Sequence, residues 1–232
     1  MALKSWFPTV IYDETLEPER NVSKRMLQYA VDFHLNNEDK LEDAANVTGD
    51  VTGDYQIAHK PEFKWLNKEV FNHCKNYLEV FGVDYNNLNL FSSKSWIVAC
   101  DDTRKIDHAS KAVERHNHLN SHLSVIFYLQ VDESSGGELE ITAPLTHPLW
   151  YVPLAPYVDK LPYPSLTTIN YTPEVNKIII FPSSLFHCVQ PYFGKFPRYS
   201  VVYDILITGK EGITSDNEMC IVNPLNWVDL DE

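Results

Sequence analysis

Apolar residues recur at helical spacing in two segments of the N-terminal third. A first helix is predicted from four residues three or four positions apart: Val22, Met26, Ala30 and Phe33. Thr15 is a candidate N-cap for this helix, with Pro18 in its first turn and its end near Leu35. A second helix, ending at Gly82, is predicted from a similar set: Leu66, Val70, Phe71, Cys74, Leu78 and Phe81. Residues 5–12 predict a short opening strand with an apolar face.

The pattern then changes from helical spacing to strand alternation. Seven strands are predicted, at residues 88–100, 113–118, 123–131, 138–142, 177–181, 187–190 and 198–208. In the third of these, Ser124, Ile126 and Tyr128 share one face, and the alternate apolar residues share the other. In the last, one face carries Arg198, Ser200, Val202 and Asp204. Helices followed by strands predict a mainly β, α+β fold whose N-terminal helices buttress one sheet. Many short antiparallel strands favour a jelly roll or related barrel.

One domain of residues 1–232 is expected, because this length suits a single all-β barrel or sandwich. We divide it into an N-terminal strand with supporting helices (1–87), a β core (88–208) and a C-terminal extension (209–232). Residues 143–175 carry seven prolines, which cannot donate to a sheet ladder, and they predict a loop inserted into the core. A loop of this length is typical of an active-site rim or lid, with a packed surface decoration as the alternative.

The overall charge excludes some partners but does not indicate a function. The net charge of −13 argues against a nucleic acid or an anionic membrane surface as the main partner. No apolar run approaches the ~20 residues that span a bilayer. Four scattered cysteines without a CxxC pair, and no recognisable signal peptide, lead us to expect reduced thiols in a cytoplasmic protein.

Candidate chemistry is concentrated in the histidines. His116 and His118 are two positions apart, so an extended chain places both imidazoles on the same side. His187 is the best placed third ligand, and we therefore predict a metal site. The competing interpretation is a pair of partly exposed polar residues on an edge strand. The presence of both His187 and Arg198 downstream favours the metal site.

An ordered set of short motifs carries a resemblance to a known superfamily. The motifs are His116-Asn117-His118, the strand 123–129 ending in Tyr-Leu, Gly136-Gly137-Glu138-Leu139, Ile180-Phe181-Pro182, His187, and Arg198-x-Ser200. Over roughly residues 96–207 the chain resembles the 2-oxoglutarate- and Fe(II)-dependent dioxygenases. The opening Trp6-Phe7-Pro8-Thr9 is similar to a subfamily of such oxygenases from bacteria and phages, related to prolyl hydroxylases.

The resemblance implies a double-stranded β-helix that binds Fe(II) through His116 and His187 and uses 2-oxoglutarate and dioxygen. Arg198 would bind the distal carboxylate of 2-oxoglutarate, with Ser200 and Tyr128 as further hydrogen-bond donors. The implied reaction hydroxylates a peptide side chain, as in prolyl hydroxylases, or a small metabolite, and releases succinate and CO2. Fold and metal site do not choose between these substrates.

Position 118 departs from the superfamily, which has aspartate or glutamate there. His118 is our candidate second ligand, but His122 is the alternative, since cupins carry a fourth ligand near that position. Ser124 is a possible additional site residue. The competing functions are a cupin-like metalloprotein that does not use 2-oxoglutarate, such as a thiol or small-acid dioxygenase or an isomerase, and a non-catalytic binding jelly roll.

Overall fold

A computed structural model describes residues 9–36, 56–100, 112–144, 168–210 and 223–230. Within these residues it contains two α-helices and nine β-strands. The helices are α1 (Arg20–Asn36) and α2 (Lys64–Val80). The strands are β1 (Tyr12–Thr15), β2 (Leu88–Cys100), β3 (Val113–His116), β4 (Leu123–Gln130), β5 (Leu139–Thr142), β6 (Thr168–Tyr171), β7 (Lys177–Pro182), β8 (His187–Val189) and β9 (Arg198–Gly209).

The strands form two antiparallel sheets. The major sheet has five strands in the order β1-β7-β4-β9-β2, and the minor sheet has four in the order β3-β8-β5-β6. Neighbours in each sheet are mostly distant in sequence, so the chain passes back and forth between the two layers. This layout confirms the predicted α+β class rich in antiparallel sheet.

The two faces of the major sheet are buried against different partners. One face packs on the helices, where Met26 of α1 and Leu66 of α2 join Val125, Phe127 and Val201 in one apolar cluster. The opposite face packs on the minor sheet in a second cluster, which includes Ile126 and Val202 of the major sheet and Leu139, Ile141 and Val189 of the minor one. The helices therefore buttress one sheet, as predicted. Among the described residues, no helix combines the length and apolar character needed to cross a membrane.

Several element boundaries differ from those predicted. Thr15 does not cap α1: it ends β1, paired with Lys177, and the carbonyl of Glu19 accepts the first hydrogen bonds of the helix. The opening strand lies at Tyr12–Thr15 rather than at 5–12, of which residues 5–8 lie outside the described residues. Strand pairing of Thr15 outweighs the local capping preference, because the strand adds a ladder to the major sheet.

The predicted loop insertion is wrong at one end. Residues 168–171 form β6, which pairs with β5 from Leu139↔Tyr171 to Thr142↔Thr168. The four residues are free of proline, so they can join a ladder at the edge of the minor sheet. Residues 145–167 of the predicted loop lie outside the described residues, as does most of the C-terminal extension.

The core between the helices and the major sheet predicts a sharp contrast between two leucines. Leu66 on α2 is fully buried, whereas Leu35 on α1 is 55% exposed. We expect Leu66→Ala to lower the free energy of unfolding by about 2–5 kcal/mol, because it leaves a cavity under the sheet. Leu35→Ala is the matched control and should change it by less than about 0.5 kcal/mol. Urea denaturation measures both, and equal effects would contradict this arrangement of the core.

Candidate active site

Three histidines converge at one end of the space between the two sheets. His116 is the last residue of β3 and is paired across the minor sheet with His187, the first residue of β8. His118 lies two residues beyond the end of β3, where its N–H donates to the carbonyl of Ser183. One ring nitrogen from each imidazole lies within 4.8 Å of the others. The predicted pair thus converges although His118 lies outside the strand.

The Nδ1 atom of every histidine in this cluster contacts an acceptor. The acceptors are the carbonyl oxygen of Glu114 for His116 (2.7 Å), the carbonyl oxygen of Leu185 for His187 (3.0 Å) and the Asp204 carboxylate for His118 (2.6 Å). A carbonyl oxygen only accepts, so the Nδ1 atoms of His116 and His187 carry the proton. In the neutral rings Nε2 then carries a free lone pair, and this tautomer can bind a metal through Nε2.

Burial keeps two of these imidazoles neutral. It lowers the pKa of His187 to about 3, with the neighbouring His116 and His118 adding to the effect. Burial also lowers the pKa of His116 below its ordinary value, with a smaller contribution in the same direction from His118. Both side chains are therefore uncharged near neutral pH and available as ligands without loss of a proton.

The spacing of the imidazoles fits a metal with adjacent octahedral positions. The Nε2 atoms of His116 and His118 are 3.0 Å apart. Two nitrogens about 2.1 Å from one metal lie about 3.0 Å apart at a right angle and about 3.4 Å apart at a tetrahedral angle. Two unprotonated nitrogens at this distance would repel each other, and a cation between them would remove that repulsion. The donor set therefore fits a divalent metal that leaves coordination positions open.

A buried cation occupies the other end of the same space. Arg198 is 1% exposed, and its Nη1 donates to the carbonyl of Gly137 at 2.7 Å. Its Nη2 lies 3.4 Å from the Ser200 hydroxyl, and its guanidinium lies 5.4 Å from the centre of the Tyr128 ring. Within the described residues, Nε has no hydrogen-bond partner and no carboxylate forms an ion pair with the guanidinium. A buried charge left in this state calls for an anionic ligand.

Gly137 is needed for this position of Arg198. Its φ of +76° lies in the left-handed region, and Gly136 before it has a φ of +81°. A Cβ at residue 137 would lie 3.3 Å from Arg198 Nη1 and 3.1 Å from a ring carbon of Tyr192. The glycine pair before β5 therefore admits the guanidinium next to the backbone.

A single cavity connects the histidine cluster with Arg198. Besides these residues, its lining comprises Trp96, Val98, Val113, Ser124, Ile126, Tyr128, Leu139, Phe181, Val189, Ser200 and Val202. Ser124 and Tyr128 thus lie on the side of the histidines, as strand alternation predicts. Ser124 contacts both His118 Nδ1 (3.1 Å) and the Asp204 carboxylate (3.3 Å). The largely apolar walls favour the exclusion of water from the cavity.

His122 does not join the cluster. Its side chain is exposed, and its Nδ1 accepts a hydrogen bond from the N–H of Ile207 at 3.1 Å. Sequence reasoning placed Asp204 on the correct face but missed its contact with His118. It also missed Trp96, whose ring centre is 5.5 Å from that of His118 and whose buried Nε1 lacks a partner among the described residues. The alternation of side chains along the predicted strand 88–100 was the signal that could have identified Trp96.

The sequence profile of a family described as "Putative 2OG-Fe(II) oxygenase" matches residues 84–204, which is more than half of the chain. The chain belongs to this family. It is therefore an oxidoreductase that depends on Fe(II) and 2-oxoglutarate, with dioxygen as the co-substrate. No curated protein matches the chain significantly.

Solved structures match the chain at low sequence identity. AviO1 from Streptomyces viridochromogenes Tue57 is 11% identical with a TM-score of 0.53, over 89% of the oxygenase and 92% of AviO1. A prolyl-4-hydroxylase from Pseudomonas putida is 11% identical with a TM-score of 0.49, over 85% and 89% of the two chains. A prolyl hydroxylase from Trichoplax adhaerens, in complex with a hypoxia inducible factor peptide, is 12% identical with a TM-score of 0.48, over 84% and 83%.

The geometry predicts which histidines bind the metal. We expect His116→Ala, His118→Ala and His187→Ala each to weaken Co(II) binding by more than the roughly 10–100-fold that loss of an outer hydrogen-bond partner costs. His122→Ala is the matched control, since its imidazole contacts only the Ile207 N–H among the hydrogen bonds described. Calorimetric titration under anaerobic conditions measures the four affinities. If His122→Ala lost Co(II) binding and His118→Ala retained it, His122 rather than His118 would be the second ligand.

Proposed function

We propose that the oxygenase hydroxylates a C–H bond of a peptide side chain or small metabolite, with His116, His118 and His187 as iron ligands and Arg198 as the anchor of 2-oxoglutarate. The observation that supports this most directly is the pairing of two sites in one cavity. Imidazole nitrogens lie at one end, and at the other lies a buried guanidinium that has no carboxylate partner in the described part of the chain. A keto acid with a second carboxylate is suited to both.

The distal carboxylate of 2-oxoglutarate would supply a negative counter-charge for the buried guanidinium of Arg198. Among the described residues its Nε–H has no hydrogen-bond partner, and the recorded contact of Nη2 is the long one to Ser200. A carboxylate accepts two parallel hydrogen bonds from such a planar donor. The hydroxyl of Ser200, on the same face of β9, is a further donor. Tyr128 on β4 is opposite Ser200 in register and adds a phenol to the same wall.

Bound iron and dioxygen supply the chemistry in which 2-oxoglutarate is decarboxylated to succinate and CO2 while one oxygen atom enters the substrate. The chain contributes position and exclusion of water. The Nδ1 hydrogen bonds fix the orientation of the imidazoles, and Arg198 sets the direction of the co-substrate. The side chains of Ile126, Phe181 and Val202 keep the space between the two ends apolar.

The sheet orders support a double-stranded β-helix as the fold of residues 88–208. Each sheet interleaves strands from distant parts of the chain, and the likeness to AviO1 extends over most of both chains. In this arrangement residues 1–87 include the supporting helices and the edge strand β1, and residues 209–232 are the C-terminal extension. The family profile covers residues 84–204, most of this core.

The substrate reaches the metal from the side where His116 and His118 are partly exposed, since His187 is 4% exposed. Access from this side is compatible with both a prolyl-type peptide side chain and a small metabolite. Succinate release in the presence of proline-containing peptides, compared with free amino acids, separates the two classes. Family membership favours 2-oxoglutarate use over the cupin-like function.

Anaerobic addition of Fe(II) and then 2-oxoglutarate tests the proposal. The visible charge-transfer band of a chelated keto acid is expected to appear and to saturate near one equivalent. Arg198→Met should retain Co(II) affinity and weaken 2-oxoglutarate binding at least about 100-fold, because a charged hydrogen bond to a buried partner is lost. Arg115→Met removes an exposed arginine and is the control, with little change in either constant. Iron binding without the band would refute 2-oxoglutarate chelation at this centre.

A further inference from the structure

The histidine cluster lacks a negative charge among its ligands. Two histidines and a carboxylate leave a divalent metal with one net positive charge, whereas three neutral imidazoles leave it with two. His118 occupies the position at which a carboxylate would reduce that charge. Among the described residues, the group of His, Cys, Asp and Glu side chains close enough to share an ion consists of the three histidines alone. Any compensating charge that the protein supplies must therefore come from outside these three side chains.

Asp204 is placed to supply this charge. It lies on β9, is 7% exposed, and its carboxylate is 2.6 Å from His118 Nδ1. In register it is opposite Ser124 on β4 and Lys94 on β2. The Lys94 ammonium, however, lies 4.7 Å from the centre of the Trp96 ring, and within the described part of the chain the ion pair of Asp204 is with His118. The carboxylate is thus committed to the imidazole.

The three histidines differ in the group that their Nδ1 atom contacts. The Nδ1–H groups of His116 and His187 donate to neutral backbone carbonyls, those of Glu114 and Leu185. The Nδ1 of His118 instead contacts a carboxylate at a shorter distance. A negatively charged acceptor draws the Nδ1 proton away and makes Nε2 a stronger electron donor to a metal. His118 with Asp204 is therefore the most negative of the three donors.

We infer that Asp204 supplies the negative charge of the metal centre indirectly, through His118. Its carboxylate holds His118 in the metal-binding tautomer and offsets the charge of the ion through the imidazole. This inference rests on the proposed function, in which His118 is a ligand. Asp204 is a positioning residue, because it touches His118 and not the metal. The Ser124 hydroxyl, 3.3 Å from the carboxylate and 2.9 Å from the Ser183 hydroxyl, holds it in place.

Asp204→Asn tests the role of the charge, since asparagine keeps the shape and one oxygen acceptor. We expect Co(II) to bind the variant about 10–100-fold more weakly than it binds the unaltered protein. The affinity of the Co(II)-loaded variant for 2-oxoglutarate should be unchanged or higher, because a negative charge near a dianion has been removed. Glu140→Gln, which removes a part-buried carboxylate elsewhere on the minor sheet, is the control and should leave both constants unchanged.

Weaker Co(II) binding together with undiminished 2-oxoglutarate binding distinguishes loss of the charge from distortion of the site. A variant that merely distorts the site would bind both Co(II) and 2-oxoglutarate more weakly, which would overturn the inference. An unchanged Co(II) affinity in Asp204→Asn would overturn it as well. A loss as large as that of His116→Ala would identify Asp204 as a direct ligand and also contradict it. Failure of the unaltered protein to bind Co(II) or 2-oxoglutarate would instead refute the proposed function itself.

A second background tests whether Asp204 acts through His118. His118→Asp places a carboxylate among the ligands, so the charge of Asp204 is no longer required and becomes repulsive. In this background we expect Asp204→Asn to strengthen Co(II) binding or leave it unchanged, the reverse of its effect in the unaltered protein. The double-mutant cycle measures this coupling directly. Equal weakening by Asp204→Asn in both backgrounds would show that Asp204 acts independently of His118.

Discussion

Burial of both faces of the major sheet is the constraint on which the rest of the structure depends. A strand directs alternate side chains to opposite faces, so β4 and β9 must serve two environments at once. Val125, Phe127 and Val201 pack against the helices, while Ser124, Tyr128 and Ser200 face the minor sheet. A slip of one residue in either strand would exchange these sets, placing hydroxyls in the core. The register that satisfies the core therefore also sets the polar groups of the cavity.

The cavity separates two kinds of electrostatic demand. At one end, neutral imidazoles with fixed Nδ1 hydrogen bonds present lone pairs that attract a cation. At the other, Arg198 presents a charge that attracts an anion. Both demands are set up by the fold in the absence of ligands, and both are costly in an apolar interior. Preorganisation of this kind lowers the reorganisation that binding requires, at the expense of the free protein's stability.

Features with a local or periodic signal could be predicted from the sequence. The alternation in residues 123–129 identified the cavity face of β4, and the spacing of apolar residues identified both helices, because each signal lies within one element. The pairing of His116 with His187 across β3 and β8 joins residues about seventy positions apart, and the motif order of the family made it predictable. Features that arise only when distant strands meet were missed.

The contact of Asp204 with His118 is an example, since neither neighbouring sequence nor spacing indicates it. The predictions for Thr15 and for residues 168–171 were wrong for a related reason. Thr15 can cap a helix, but it pairs with Lys177 at the edge of the major sheet. Residues 168–171 lie in a proline-rich segment, but they pair with Leu139–Thr142 at the edge of the minor sheet. Local preferences of a few tenths to about one kcal/mol are readily overruled by such pairing.

The two binding ends are contributed by different layers, and this links occupancy to folding. His116 and His187 belong to the minor sheet, whereas Arg198 and the Asp204 behind His118 belong to the major one. An ion and a keto acid bound together would connect the two sheets, because each sheet contributes residues to the site. Any state in which the sheets part loses both ligands, so each ligand present at a hundred times its Kd would stabilise the closed form by about 2.7 kcal/mol. The supply of iron and of a central metabolite thus enters the thermodynamics of the fold itself.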